Sequence, residues 1–91
     1  MLTLAQISEA MEGLEDWSLD TSSISKIFSF NNFKESVGFV DKIVEVAERL
    51  EHHPEILINF NQVQLVLTTH EEHGLTRKDF ELAKEIDKLT L

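Results

Sequence analysis

The sequence contains no cysteine, so neither disulfides nor thiolate metal ligands are available, and cysteine usage assigns no redox compartment. Basic residues are scarce. Eight Lys and Arg stand against seventeen Asp and Glu, a formal charge of −9. A phosphate backbone is gripped by clustered Lys and Arg, so this balance argues against nucleic acid as a partner. A solvated acidic surface is the plainer reading. With one proline and three glycines, no Pro/Gly/Ser linker, repeat or low-complexity tract divides the chain. No apolar run approaches a membrane span, and the N-terminus lacks a basic segment followed by an apolar one. The expectation is a soluble, cytoplasmic protein without a membrane partner. Its 91 residues suit one domain, residues 1–91, with a single modest core.

What is present is regular patterning. Thr3-Leu4-Ala5-Gln6 has the form of a capping box, Leu4, Ile7, Met11 and Leu14 recur at helical spacing, and Gly13 is a natural stop that keeps this helix short. Trp17 and Leu19, then Ile24, Phe28 and Phe30 with the Lys26 stem between them, alternate around Thr21-Ser22-Ser23 and predict a first hairpin. Asn32 with Glu35 marks the start of a long helix, which Pro54 is expected to end. Its residues Val37, Phe39, Val40, Ile43, Val44, Val46, Ala47 and Leu50 cover about half the circumference, more than the ~100° stripe that one packed face needs. One part of that arc covers the sheet, and the remainder asks for a second partner, either the other helices or another subunit. Ile56, Ile58 and Phe60, then Val63, Leu65 and Leu67, predict a second hairpin turning at Asn61-Gln62. That register sets Phe60 opposite Val63, Glu55 opposite Thr68 and His53 opposite His70. Gly74 suits a positive φ, and Thr76 with Asp79 caps a last helix carrying Leu82, Ala83, Ile86 and Leu89. The order α-β-β-α-β-β-α predicts an α+β fold, a four-stranded antiparallel sheet with helices packed on one face.

The dense chemistry lies in His52-His53-Pro54 and in His70. An imidazole titrates near ~6.5 and exchanges protons near neutrality without special tuning. Three imidazoles can hold zinc with an open position. However, His70-Glu71-Glu72-His73 is one residue shorter than the helical His-Glu-x-x-His motif. Consecutive His52 and His53 would also need an unusual backbone to face one ion, so no metal is expected. Acid–base work asks less of geometry, because the rings need only reach different parts of a substrate. Helix-terminal histidines also cap carbonyls, and an acid at Asp79 also stabilises a helix start; spacing alone leaves these readings open. His73, in a charged loop, is expected to be exposed and without a role.

Glu48, the following His52-His53-Pro54, Phe60, His70 after nine intervening residues and Asp79 together resemble the signature of the pterin-4a-carbinolamine dehydratases. Trp17, Phe30–Phe33, Ala47-Glu48, Thr68-Thr69-His70-Glu71 and Gly74-Leu75-Thr76 extend the resemblance over nearly the whole chain. Phe60 stands where the family commonly has Tyr. The resemblance implies a lyase that removes water from a 4a-hydroxytetrahydropterin to give the quinonoid dihydropterin. This step recycles the tetrahydropterin (tetrahydrobiopterin) cofactor of aromatic amino acid hydroxylases. It also implies a small-molecule pterin substrate, no cofactor or metal, and a homodimer or homotetramer. By resemblance the catalytic trio is His52, His53 and His70, with His52 and His70 in acid–base work and His53 holding the pterin. Glu48 and Asp79 then orient imidazoles or touch the polar pterin edge, Pro54, Thr69 and Glu71 join the substrate-binding set, and Trp17 borders the pocket. An animal member of the family is also the dimerisation cofactor of a hepatocyte nuclear transcription factor. The alternative is therefore an oligomeric interaction module with catalysis secondary.

Overall fold

Thr3 opens the first helix by accepting the Gln6 amide at 3.2 Å, while its own amide donates to the Gln6 side chain at 2.9 Å. The computed structural model, which describes residues 1–90, carries this helix, α1, from Leu4 to Glu12. Strands β1 (Ser18–Asp20) and β2 (Ser23–Ser29) follow around Thr21-Ser22. Helix α2 (Phe33–Leu50) begins where the Asn32 side chain accepts the Glu35 amide at 2.9 Å. Strands β3 (Glu55–Asn59) and β4 (Gln62–Leu67), a 3₁₀ turn (His70–Glu72) and helix α3 (Arg77–Lys88) complete the chain. The 3₁₀ turn is the one addition to the expected order.

The strands form one antiparallel sheet in the order β1-β2-β4-β3. On its inner face Ile24 pairs with Leu67 and Phe28 with Val63. Ile24, Val63, Leu65 and Leu67 are wholly buried beneath Phe39, Ile43 and Val46 of α2 and Phe80, Leu82 and Ile86 of α3. Ile27 and Leu57, both opposite Gln64 on the outer face, stay exposed. Lys26 lies on the inner face beside Leu65. Its ammonium donates to Asp87 at 3.0 Å and to the Glu15 carbonyl at 3.1 Å, over the rings of Trp17 and Phe28. Among the described residues no helix is long and apolar enough to cross a membrane.

Three local expectations are corrected. Asn59 faces Gln62, Ile58 faces Val63 and Glu55 faces Val66. The loop is therefore Phe60-Asn61, and the pairs Phe60–Val63, Glu55–Thr68 and His53–His70 do not form. A slip of two residues keeps every side chain on its face, because the strand period is two, so the apolar pattern fits both registers. Phe60 alone in this loop takes a positive φ, 54°, and its ring stands exposed at the tip. Second, α2 stops before Pro54 because Glu51 turns left-handed at φ 54°; Pro54 only shapes the entry to β3. Third, the positive φ after the 3₁₀ turn belongs to His73, not Gly74. Gly74 lies against the end of the Met1 side chain, 2.5 Å from where a Cβ would stand, but that side chain is flexible and largely exposed, so it does not itself demand glycine.

Arg49 and Lys88 both reach Glu85, at 3.1 and 2.7 Å, which links α2 to α3. The Lys88 bond first, then the Arg49 bond, holds the Glu85 carboxyl below its ordinary range. A carboxylate with a depressed folded pKa contributes stability that is complete above its unfolded value of about 4.3 and is lost as pH falls through the folded value. Glu85→Gln is therefore expected to lower stability slightly at neutral pH. Thermal melts from pH 7 to pH 3 should show the gap between variant and wild type closing on acidification.

Candidate active site

The cap of α2 sends its two histidines in different directions. With Glu51 left-handed, the His52 amide reaches back to the Ala47 carbonyl at 3.0 Å, the six-to-one bond of a Schellman cap. The His52 ring turns inward and is 8% exposed, whereas His53 faces solvent. His52 Nε2 lies 2.5 Å from Oδ1 of Asp79, a carboxylate with no exposure in the first turn of α3. The second oxygen of Asp79 accepts the Thr69 hydroxyl at 2.8 Å and the Thr76 amide at 2.9 Å. A buried carboxylate is tolerated only when paired and hydrogen-bonded, and three donors supply that here.

This pairing has a consequence for the imidazole. An ionised carboxylate only accepts hydrogen bonds, so His52 carries a proton on Nε2. Its Nδ1 has no partner among the described residues, where no buried side-chain nitrogen or oxygen is left unsatisfied. Nδ1 is thus the solvent-reaching nitrogen of His52. His53 pairs through Nε2 with Glu48 at 2.5 Å, but both side chains are about two-thirds exposed, and such a pair adds little stability.

His70 opens the 3₁₀ turn directly after Thr69 and is exposed. Paired backbone bonds between Thr69 and Gly74, 3.1 and 3.4 Å, close this loop. His70 follows Thr69 in the chain, and the Thr69 hydroxyl shares Asp79 with His52. The second hairpin carries Thr69, not His70 itself, to the Asp79 carboxylate that His52 reaches from the end of α2, and it does not pair His53 with His70 across strands. Pro54 is half-buried beyond His53, and Glu71 is exposed beside His70. Thr69 is buried, with its hydroxyl engaged by Asp79 and Thr76. His73 is exposed, as expected.

Trp17 does not join this group within the chain. Its buried indole donates to Asp87 at 3.0 Å, about 12 Å beyond Asp79 along α3 at 1.5 Å per residue. It packs edge-on against Phe28. A cleft of about 580 Å³ includes Thr69, Glu71, Thr76 and Arg77 in its lining, but none of the three histidines. Among the described residues no three His, Asp or Glu side chains converge on a point able to hold a metal ion. His52 and His53 each face their own carboxylate instead. Sequence reasoning missed Thr76, whose capping pattern was legible but whose contact with Thr69 was not.

The family model described as pterin 4 alpha carbinolamine dehydratase matches residues 1–89. A Sulfolobus acidocaldarius protein, provisionally named a pterin-4-alpha-carbinolamine dehydratase, is 45% identical over 84 residues, 92% of each chain. A Picosynechococcus protein of the same provisional name is 44% identical over 88 residues, 97% of this chain and 96% of its own. Among solved structures, a transcriptional coactivator/pterin dehydratase from Brucella melitensis superposes with a TM-score of 0.91 at 33% identity, covering 97% and 96% of the two chains. A pterin dehydratase-like RuBisCO assembly factor of the α-carboxysome superposes with a TM-score of 0.66 at 19% identity, covering 80% and 84%, a likeness of fold alone.

Proposed function

Since the chain belongs to the pterin 4 alpha carbinolamine dehydratase family, we propose that it removes water from a 4a-hydroxytetrahydropterin to give the quinonoid dihydropterin. The observation that carries this reading is His52, anchored through Nε2 to a wholly buried carboxylate with Nδ1 reaching solvent. In the reaction the C4a–O bond breaks with its electron pair on oxygen, and an imidazolium proton converts the departing hydroxide to water. The N5 proton passes to a neutral imidazole as the C4a=N5 bond forms. His52, through Nδ1, and His70 serve the two ends in opposite protonation states. Asp79 orients His52, and Thr69 acts through Asp79. His53, braced by Glu48, holds the polar edge of the pterin, with Pro54 and Glu71 bordering it. All the proton transfers are supplied by imidazoles, so the reaction calls for no metal or cofactor. The activity would recycle the tetrahydropterin cofactor of an aromatic hydroxylase in the cytoplasm.

Dehydration of a synthetic 4a-carbinolamine tests the proposal. The protein is expected to accelerate it well above the buffer rate, and exhaustive chelation is expected to leave that rate unchanged. No acceleration would sink the dehydratase reading, and a chelation loss restored by zinc would replace it with metal-dependent chemistry.

We also propose a homo-oligomer, a dimer or tetramer. Phe33, Val37, Val40 and Val44 recur along one side of α2, and Phe33 and Val44 remain 54% and 50% exposed. Such a stripe wants a partner surface. Sedimentation at micromolar concentration should give an assembly, and a strictly monomeric species would contradict this. The same stripe favours a second reading, an interaction module with idle catalysis. A pterin analogue separates the two, since a ligand of the native state raises the melting temperature and an idle module shows no shift.

A further inference from the structure

We infer that Thr76 is a positioning residue for His52, its hydroxyl acting through Thr69 to fix the Asp79 carboxylate that sets the His52 tautomer. The direction of each bond follows from the available protons. Thr69 has one hydroxyl proton and gives it to Asp79 Oδ2 at 2.8 Å. In the 2.8 Å contact between the Thr69 and Thr76 hydroxyls, Thr76 is therefore the donor. The result is a relay from Thr76 to Thr69 to Asp79, in which each bond polarises the next. The Thr76 amide donates to the same Asp79 oxygen at 2.9 Å. Thr76 thus holds Oδ2 by two routes and leaves Oδ1 as the oxygen that meets His52 Nε2.

The start of α3 and the state of an imidazole on another element are consequently joined in one residue. Thr76 is the N-cap of α3 with Asp79 at its third position, and a residue that only capped would stabilise α3 without touching His52. A carboxylate held less firmly can swing away from Nε2 or take up a proton. Either change lets neutral His52 adopt the Nδ1–H tautomer, which occupies the nitrogen left accessible for a substrate.

The test compares the full-length chain with Thr76→Val, Thr76→Gly and Thr76→Ser, reading the tautomer of neutral His52 by ¹⁵N NMR alongside turnover. Glycine is about as good an N-cap as threonine, so Thr76→Gly removes the hydroxyl while keeping the cap, and it serves where the valine variant does not fold. Wild type and Thr76→Ser should show one Nε2–H tautomer, and the Val and Gly variants a mixture. Only the kinetic arm rests on the dehydratase reading. There kcat should fall about three- to tenfold, the weight of one ordinary hydrogen bond, with KM unchanged and serine restoring the rate. Folded Val or Gly variants that keep a pure Nε2–H tautomer, whatever their melting temperatures, would reduce Thr76 to a cap and overturn the inference. A tautomer shift in a protein without dehydratase activity would support the positioning role and sink the functional reading instead.

Discussion

His52→Ala and His70→Ala are each expected to lower turnover by roughly 10²–10⁴-fold, the usual contribution of a positioned acid or base. The two positions differ in what else they disturb. His70 is exposed and unpaired among the described residues, so its alanine variant should fold normally. Removing His52 strands the buried Asp79, and lost turnover there could reflect lost structure. His52→Gln separates these effects, because its amide can donate to Asp79 as Nε2–H does but cannot relay a proton. A folded His52→Gln protein with turnover as low as His52→Ala is the expected result. His53→Ala should raise KM more than it lowers kcat. His73→Ala should be silent, which makes it the control, as it is another exposed imidazole of the same loop. Folded variants at His52 and His70 with full turnover would end the acid–base assignment and promote the interaction-module reading.

Asp79→Ala should be the most destabilising single change in the site, by about 3 kcal/mol or more, since each buried donor left without an acceptor costs about 1–3 kcal/mol. Against a total stability of roughly 5–14 kcal/mol for a chain of this length, that is a large fraction. Three donors lose their acceptor at once: His52 Nε2–H, the Thr69 hydroxyl and the Thr76 amide. Urea denaturation measures the effect. In a His52→Ala background the same substitution should cost distinctly less, because one of the stranded groups is already gone and the residues act as a network. Fully additive losses would mean that His52 and Asp79 do not stabilise each other.

The elements themselves were legible because their signals are local. Asn32 caps Glu35 and Thr3 caps Gln6 through contacts three residues apart. The alternation in β2 and β4 needs only neighbouring positions to reveal which face is buried. Family resemblance selected His52, His53, His70 and Asp79, but it did not say which atoms meet.

Tertiary structure decided the rest, wherever partners are distant or two arrangements satisfy the same pattern. The β3–β4 register is one such case, since a two-residue slip leaves the apolar faces unchanged and is invisible to periodicity. The fates of His52 and His53 are another. Both are helix-terminal imidazoles in the sequence, and the left-handed turn at Glu51 sends one into the protein and leaves the other outside. Asp79 offered itself as a helix cap or as an orienting acid, and its two oxygens do both because Thr76 and His52 approach from different elements. Trp17 finds Asp87 seventy residues away. Such side-chain hydrogen bonds across the fold carry no periodic signature, so the sequence could name the residues of the site but only three-dimensional packing could join them.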